Sequence, residues 1–397
     1  MRIKALRGFR DLVGFEWYKF ERIVDTFKVW LRRFNAIWIE TPIVEPLELF
    51  VRSVGEFTDI VQKQMFVFKD RGGRDVALRP EGTAGVVRAF LENNLSPPIK
   101  LAYFGPMFRG ERPQKGRYRQ FYQLGVEFLG YSGPYSDAEG ILAAYLPLKE
   151  LNLDVKVYVN TLGGEDTKVK YSEELKNYLK DLDFLCDDCK VRREKNPLRV
   201  LDCKTCSPKL NPPDIADFIP DEERDNFEKT IEILKEFGVP VERDPKLVRG
   251  LDYYTGLVFE VKAEGLDAAQ NTILAGGRYD KLVSWLGGED TPAFGWAAGI
   301  DRISLIYNPE GEREELYFIV RTSDEYTDVA FNVLMKLREM GKKVDMVFEK
   351  GKSLKSQMRR ANKIGAKWVV FVGEEEVKIG KFKVKDMETG EEFVSAL

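Results

Sequence analysis

A two-residue alternation from Gln120 to Gly130 is the strongest constraint on how this chain can fold. One set of alternating residues is apolar and comprises Tyr122, Leu124, Val126 and Phe128. The other set comprises Phe121, Gln123, Gly125 and Glu127. Because successive side chains of a strand point to opposite faces, one face is buried and the other carries polar groups around a glycine gap. The polar face fits either the floor of a polar pocket or a half-exposed sheet.

Other segments of the first 310 residues predict further strands and amphipathic helices. Apolar residues at helical spacing predict a helix over 16–34, and Pro80 is expected in the first turn of a helix over 80–94. Strands are expected at 37–44, 101–109, 257–262 and 272–275, and a hairpin over 65–79 that turns at 70–73. Residues 165–240 are mostly polar with a helical pattern.

The pattern changes after a polar linker at 308–315. Strand-like segments at 316–321, 343–348 and 368–372 alternate with helical ones, which predicts a small α/β domain with a mostly parallel sheet. Residues 350–367 carry seven basic residues and no acidic one. This run fits either a solvated helix face or a surface that binds nucleic acid.

The absence of histidine limits the chemistry available to the chain. Ser-His-Asp and Cys-His hydrolases are excluded, as are histidine-ligated metals. With 62 Lys and Arg against 65 Asp and Glu, the chain is not a polycation, although a local basic patch could still bind nucleic acid. No apolar run reaches the ~18 residues of a membrane helix and no signal peptide is visible, so a cytoplasmic protein without a membrane partner is expected.

The segment 108–121 is the most informative stretch for nucleotide chemistry. It carries five basic residues and one carboxylate between two strands, and it ends on Phe121. Arginine forks suit phosphate oxygens, and Phe121 could stack on a purine. Neither a P-loop nor a strand-bound Gly-x-Gly-x-x-Gly motif is present, so side chains, arginines above all, must hold any nucleotide.

Six stretches of the sequence resemble the histidyl-tRNA synthetases, a family of class II aminoacyl-tRNA synthetases. They are TPIVEP at 41–46, LRPEGT at 78–83, FRGERPQKGRYRQF at 108–121, RGLDYY at 249–254, AGGRYD at 275–280 and FGWAAGIDR at 294–302. The resemblance covers essentially the whole chain and implies an α+β fold. An antiparallel sheet flanked by helices would form a catalytic domain at 1–310, with a helical insertion at about 165–240. An α/β anticodon-binding domain would follow at 314–397, and the family forms homodimers.

The resemblance also implies the residues that bind ATP, which acts with Mg²⁺. Arg109 would hold the α-phosphate, Glu111 the adenine amino group and Arg302 the γ-phosphate, while Phe121 would stack on the adenine. Arg249 would lie between the histidine carboxylate and the α-phosphate, so Arg109 and Arg249 are the expected catalytic residues. In-line attack on phosphorus needs positioning and positive charge rather than a protein base.

The histidine site implied by the resemblance comprises Glu81, Thr83, Gln123, Glu127, Tyr253, Tyr254 and Tyr279. Glu81, Thr83 and Gln123 would bind the ammonium group. Glu127 and Tyr254 would each pair with one imidazole nitrogen, and the other two tyrosines would shape the pocket. A site that hydrogen-bonds both imidazole nitrogens rejects side chains of similar shape that lack one of them, because a buried protein group would then have no hydrogen-bond partner.

The activity implied is the formation of histidyl-adenylate from L-histidine and ATP, followed by transfer of histidine to the 3′ end of tRNA(His). One alternative is a synthetase-like regulatory subunit of ATP phosphoribosyltransferase. Such subunits lack the C-terminal domain and parts of both binding sites, which this sequence retains. Another is a class II synthetase for a different amino acid, which fits the general motifs but not the stretch 249–254.

The only four cysteines of the chain lie in one short window. Cys186-x-x-Cys189 and Cys203-x-x-Cys206 are separated by thirteen residues, a spacing typical of a structural zinc site. Buried free thiols, or disulfides in the cytosol of a thermophile, are the alternatives. Zinc is not a general requirement of the family.

Overall fold

A computed structural model describes residues 3–56, 58–267, 270–309 and 315–396. The chain divides into two compact units, Met1–Asn308 and Pro309–Leu397. The sequence-predicted linker at 308–315 lies largely outside the described residues. No described helix is both long enough and apolar enough to cross a membrane.

An eight-stranded sheet organises the first unit. Its strands, in spatial order, are β1 (Ile37–Trp38), β5 (Ile99–Phe108), β6 (Gln120–Leu129), β11 (Ala293–Gly299), β10 (Thr272–Arg278), β9 (Leu257–Ala263), β7 (Val155–Thr161) and β8 (Val241–Arg243). All inner pairings are antiparallel, and β1 and β8 add in parallel at the two edges. A smaller three-stranded sheet contains β2 (Val44–Pro46), β4 (Asp75–Leu78) and β3 (Val67–Lys69).

Nine α-helices surround these sheets within the described part of the first unit. They are α1 (Phe15–Arg33), α2 (Leu47–Val54), α3 (Thr83–Glu92), α4 (Pro134–Glu150), α5 (Glu165–Leu179), α6 (Asp187–Lys195), α7 (Asp221–Glu236), α8 (Leu282–Trp285) and α9 (Ile300–Ile306). Short 3₁₀ turns at Pro197–Val200, Ser207–Lys209 and Ile215–Asp217 complete the segment predicted to be helical.

The two faces of β6 are buried against different cores. Leu124, Val126 and Phe128 pack with α1, α4 and α7 in one apolar core. The predicted helix over 16–34 is confirmed as α1, whose apolar residues face this core because they recur at helical spacing. A second core, with α3 and α5, covers the opposite face of the sheet. The polar set of β6 therefore lies on a covered face, and the half-exposed interpretation is wrong.

Two local predictions differ from the structure. The strand expected at 37–44 is two separate strands in two sheets, and between them the carbonyl and hydroxyl oxygens of Thr41 accept hydrogen bonds from the Arg79 guanidinium. The helix expected from Pro80 begins at Thr83. Its first N–H groups, from Thr83 and Ala84, donate to the Glu81 carboxylate, so the segment before them is a loop. The hairpin over 65–79 is confirmed as β3 and β4.

The second unit is a five-stranded sheet with helices. Its strands, in spatial order, are β13 (Lys343–Met346), β12 (Leu316–Arg321), β14 (Trp368–Val372), β15 (Phe382–Asp386) and β16 (Glu392–Ser395). Its helices are α10 (Thr327–Glu339), α11 (Leu354–Lys363) and α12 (Glu374–Ile379). The first three strands are parallel, but β15 and β16 form an antiparallel meander, so the expectation of a mostly parallel sheet holds only for the three predicted strands.

Candidate active site

A cleft opens on the covered face of the large sheet. It is formed by the loop between β5 and β6, the adjoining strands β10 and β11, and the start of α9. Its lining includes Arg109, Glu111, Phe121, Gln123, Arg249 and Arg302. The structure therefore brings together all the residues expected at the ATP site, although they come from distant parts of the sequence.

Arg109 is held at the end of β5 by a backbone contact and an aromatic ring. Its Nε donates to the carbonyl of Pro80 at 2.9 Å, and its guanidinium lies 5.1 Å from the centre of the Phe121 ring. Burial lowers the pKa of Arg109, although Glu111 opposes that shift. Glu111 itself is paired with the Arg117 guanidinium at 3.1 Å. The loop thus presents buried positive charge to the cleft.

Two further arginines enter the cleft from other elements. Arg302, on α9, donates to the carbonyl of Thr272 at 2.7 Å. Arg249 donates to Glu260 Oε1 at 2.5 Å, while its buried Nε has no hydrogen-bond partner among the described residues. Burial opposes the charge on Arg249, but the Glu260 carboxylate leaves its pKa above the ordinary value. Glu260 therefore orients Arg249 and favours its charged form.

A cluster of buried polar side chains surrounds Glu127, which is itself fully buried. Thr83 Oγ1 donates to Glu127 Oε1 at 2.8 Å, and the Tyr279 hydroxyl donates to Oε2. Gly295 lies opposite Glu127 on β11, and any side chain there would collide with the carboxylate. Burial raises the pKa of Glu127 to about 8.

Glu81 and two tyrosines complete this cluster. The Tyr253 hydroxyl lies 3.4 Å from Glu81 Oε2, and the Tyr253 ring packs against Tyr279 with a centroid separation of 5.5 Å. The rings of Tyr254 and Tyr253 are tilted by 49° with centroids 4.7 Å apart, and Tyr254 lies under the Arg249 guanidinium. Among the described hydrogen bonds, it is Tyr279 rather than Tyr254 that bonds Glu127 directly.

Three residues at the site were missed by the sequence analysis: Tyr103, Arg117 and Glu260. Tyr103 is buried on β5 directly opposite Gly125, and its ring fills the glycine gap of β6. Pairing the segments 101–109 and 120–130 in register would have revealed it. Glu260, which orients Arg249, gave no local signal because the contact joins a loop to a strand.

The four cysteines form a separate cluster at the edge of the second core. Their sulfur atoms all lie within 4.8 Å of one another, and none is in a disulfide. Cys189 and Cys206 are buried, and Cys186 and Cys203 are partly exposed.

Comparisons with known proteins agree with this architecture. A family profile described as histidyl-tRNA synthetase matches residues 8–163 and 217–303, and one described as an anticodon binding domain matches 316–396. Histidine–tRNA ligase of Aquifex aeolicus is 48% identical over 400 residues, which cover 99% of this chain and 98% of that protein. The histidine–tRNA ligase of Halothermothrix orenii is 44% identical, over 99% of this chain and 96% of its own length.

Solved structures give the same result. The crystal structure of apo S. aureus histidyl-tRNA synthetase matches with a TM-score of 0.80 at 33% identity, covering 99% of this chain and 97% of that chain. A Bacillus halodurans structure, described as an ATP phosphoribosyltransferase regulatory subunit/histidyl-tRNA synthetase, shares the fold at 22% identity and a TM-score of 0.69, covering 94% of this chain and 99% of that chain.

The large antiparallel sheet with its arginine-lined cleft, joined to a small α/β unit, defines a class II aminoacyl-tRNA synthetase. The expected α+β fold is confirmed. Within that class, the chain belongs to the histidyl-tRNA synthetase family.

We expect the stability of the ligand-free protein to depend on pH through Glu127. Its pKa rises from 4.5 in the unfolded chain to about 8 in the folded protein, so the folded state binds the extra proton between these values. The free energy of unfolding should therefore fall as pH rises through this window. Urea denaturation at stepped pH should show wild type losing stability relative to Glu127→Gln.

The exposed Glu228→Gln is the matched control and should follow wild type at every pH. A parallel pH dependence in wild type and Glu127→Gln would contradict the assignment of a raised pKa to Glu127.

Proposed function

We propose that this protein activates L-histidine with ATP to form histidyl-adenylate, and then transfers histidine to the 3′-terminal ribose of tRNA(His). One observation carries the proposal: the buried, hydrogen-bonded Glu127 carboxylate lies on the same face of β6 as Gln123, which lines a cleft with three arginines. Two buried polar atoms there, Gln123 Oε1 and Arg249 Nε, have no partner among the described residues. Such atoms are ordinarily satisfied in a protein, so their position supports a polar ligand.

In the first step, an oxygen of the histidine carboxylate attacks the α-phosphorus of ATP, and the bond to pyrophosphate breaks. ATP enters as its Mg²⁺ complex, the nucleotide substrate. Arg109 and Arg249 would contact the α-phosphate, where negative charge accumulates in the transition state. Arg302 would hold the γ-phosphate, and Glu111 would accept a hydrogen bond from the adenine amino group. The adenine ring would stack on Phe121.

Recognition of histidine would depend on the pocket around Glu127. Hydrogen bonds to the imidazole would replace some of those that Glu127 makes within the protein. Glu127 would bond one imidazole nitrogen and Tyr254 the other. Glu81, Thr83 and Gln123 would take the ammonium group. A neutral buried carboxyl can donate as well as accept, so the raised pKa of Glu127 is compatible with either nitrogen.

In the second step, the 3′-terminal ribose hydroxyl of tRNA attacks the aminoacyl carbonyl, and AMP leaves. We propose that the adenylate phosphate accepts the hydroxyl proton, because the described site offers no unpaired protein base. The α/β unit would bind the anticodon end, and the exposed basic side chains of α11 would face the phosphate backbone.

A homodimer in the cytoplasm is part of the proposal, since charged tRNA is consumed there. The segment around 41–46, the neighbouring small sheet and the edge strand β1 expose several apolar side chains. They are Ile37, Ile43, Val44, Val67 and Phe68. Exposed apolar side chains grouped in one part of a fold are typical of a surface that binds a partner, and we propose a second copy of this chain.

The regulatory-subunit alternative is less well supported. Arg109, Arg249 and Arg302 line one cleft, Glu81 contacts Tyr253, and residues 316–396 match an anticodon binding domain profile. A subunit that only binds histidine would not need the arginine-lined cleft.

The deciding experiment is ATP–pyrophosphate exchange with each amino acid in turn. We expect exchange with histidine alone. Exchange with another amino acid would retain the class but overturn the pocket assignment. Folded, dimeric protein without exchange would favour the regulatory subunit.

Arg249→Ala should slow adenylate formation by about 10²- to 10³-fold, as expected for loss of one transition-state charge contact of ~3 to 4 kcal/mol. Single-turnover adenylate formation measures this rate, and ATP affinity should change little. The control is Arg243→Ala, which removes an arginine on edge strand β8 that pairs with Asp214 and does not line the cleft. An unchanged single-turnover rate in Arg249→Ala would refute the role.

Removing positive charge from α11 should weaken the salt dependence of tRNA binding. Each lost phosphate contact reduces the slope of log affinity against log salt by roughly 0.7 to 0.9. The variant replaces with alanine the exposed Lys355, Arg359 and Arg360. The control removes the same charge elsewhere on this unit, at the exposed Lys342, Lys378 and Lys381. Equal slopes for the two variants would count against α11 as the tRNA surface.

A further inference from the structure

We propose that Cys186, Cys189, Cys203 and Cys206 bind one structural zinc ion, which supports the loop at the histidine site. The sulfur atoms all lie within 4.8 Å of one another, and Cys186 and Cys203 are 3.9 Å apart. Four sulfurs bound to zinc at about 2.3 Å in a tetrahedron are about 3.8 Å from one another. A small contraction of the cluster would therefore complete the coordination.

The backbone around the cysteines arranges the two pairs to face each other. Cys186 immediately precedes α6, and Cys189 lies in its first turn. The second pair lies across a tight turn in which the Ser207 N–H donates to the carbonyl of Cys203 at 2.9 Å. The Cys186 N–H also points at Cys206 Sγ, at 3.3 Å. Backbone donors aimed at sulfur stabilise the thiolate that a metal requires.

The surroundings favour a closed structural site. Cys189 and Cys206 are buried in the second core with Leu185 and Leu201, and four thiolates leave no open position for a substrate. Zinc with four thiolates carries two negative charges. Arg192 lies close enough to Cys189 and Cys203 to interact with them electrostatically and partly balances this charge.

The alternatives fit the cluster less well. A disulfide joins two sulfurs at about 2.05 Å and so divides four cysteines into two pairs. Here all four sulfurs share one small volume, including the cross-pair of Cys186 and Cys203. One tetrahedral ion can bind all four sulfurs at once. Free thiols would not explain why the four sulfurs lie so close together.

The chain between the two pairs contacts the loop at 249–254. Asn196 Nδ2 donates to Asp252 Oδ1 at 3.1 Å, and the Arg199 guanidinium donates to the carbonyl of Arg249 at 3.3 Å. A zinc ion closing both ends of this segment would hold these contacts in place. This second part of the inference rests on the proposed function, because Arg249 and Tyr254 are assigned there to substrates.

The first test is elemental analysis of protein prepared without a polyhistidine tag, which would itself bind metal. We expect about one zinc per chain, and protein reconstituted with Co²⁺ should show the visible absorption of a tetrahedral thiolate site. Both measurements use wild-type protein, so they do not depend on whether a variant folds.

Cysteine variants then locate the site. Cys186→Ser and Cys203→Ser, at the two partly exposed positions, should lose the zinc and the Co²⁺ absorption. The matched control is Leu201→Ala, a substitution in the same core that removes no thiol and should retain the metal. Zinc retained at wild-type content in both serine variants would overturn the assignment.

Other outcomes are equally decisive. Folded wild-type protein without zinc, whose four thiols titrate freely or which contains two disulfides by mass spectrometry, would overturn the site. Zinc-free protein should bind histidine more weakly by calorimetry, and unchanged affinity would overturn the supporting role alone. The metal measurements remain valid even if the protein lacks exchange activity, so failure of the zinc site and failure of the proposed function are distinguishable.

Discussion

The burial of the Glu127 carboxylate is the constraint on which the rest of the site depends. A carboxylate removed from water is unstable unless other groups satisfy it, and Glu81 nearby adds like charge. Hydrogen bonds from the Thr83 and Tyr279 hydroxyls reduce the free-energy cost of burying this charge. They do not remove it entirely, so the pKa of Glu127 stays raised. A ligand with polar hydrogens could therefore add to the hydrogen bonds of this carboxylate.

The sheet provides the room for this carboxylate through its register. Gly295 faces Glu127 across β6 and β11, and Gly125 faces Tyr103 across β5 and β6. Asp301 then ties α9 to this strand, because its carboxylate accepts hydrogen bonds from the Tyr122 N–H and the Arg10 guanidinium, both at 2.7 Å. Through these contacts the pocket and the arginine-bearing helix are parts of one rigid scaffold.

Sequence reasoning succeeded where the signal was local and periodic. The structure confirms the strand predicted from the alternation in β6 and the helix predicted from the apolar spacing of α1. Each prediction depends only on how one element packs against one core. It failed at 37–44, where the chain leaves the large sheet after Trp38 and enters the small sheet at Val44, and where Thr41 accepts a hydrogen bond from Arg79, 38 residues away. It also failed at Pro80, because Glu81 takes the first N–H groups of α3.

The sequence by itself determined the class of chemistry and the family. The absence of histidine excluded the common hydrolase mechanisms, and six motifs in order indicated a synthetase. Only the tertiary structure decided that Tyr279 bonds Glu127, that Glu260 orients Arg249, and that four cysteines share one small volume. Such contacts join side chains distant in sequence, so they depend on sheet register and loop packing, which no local pattern specifies.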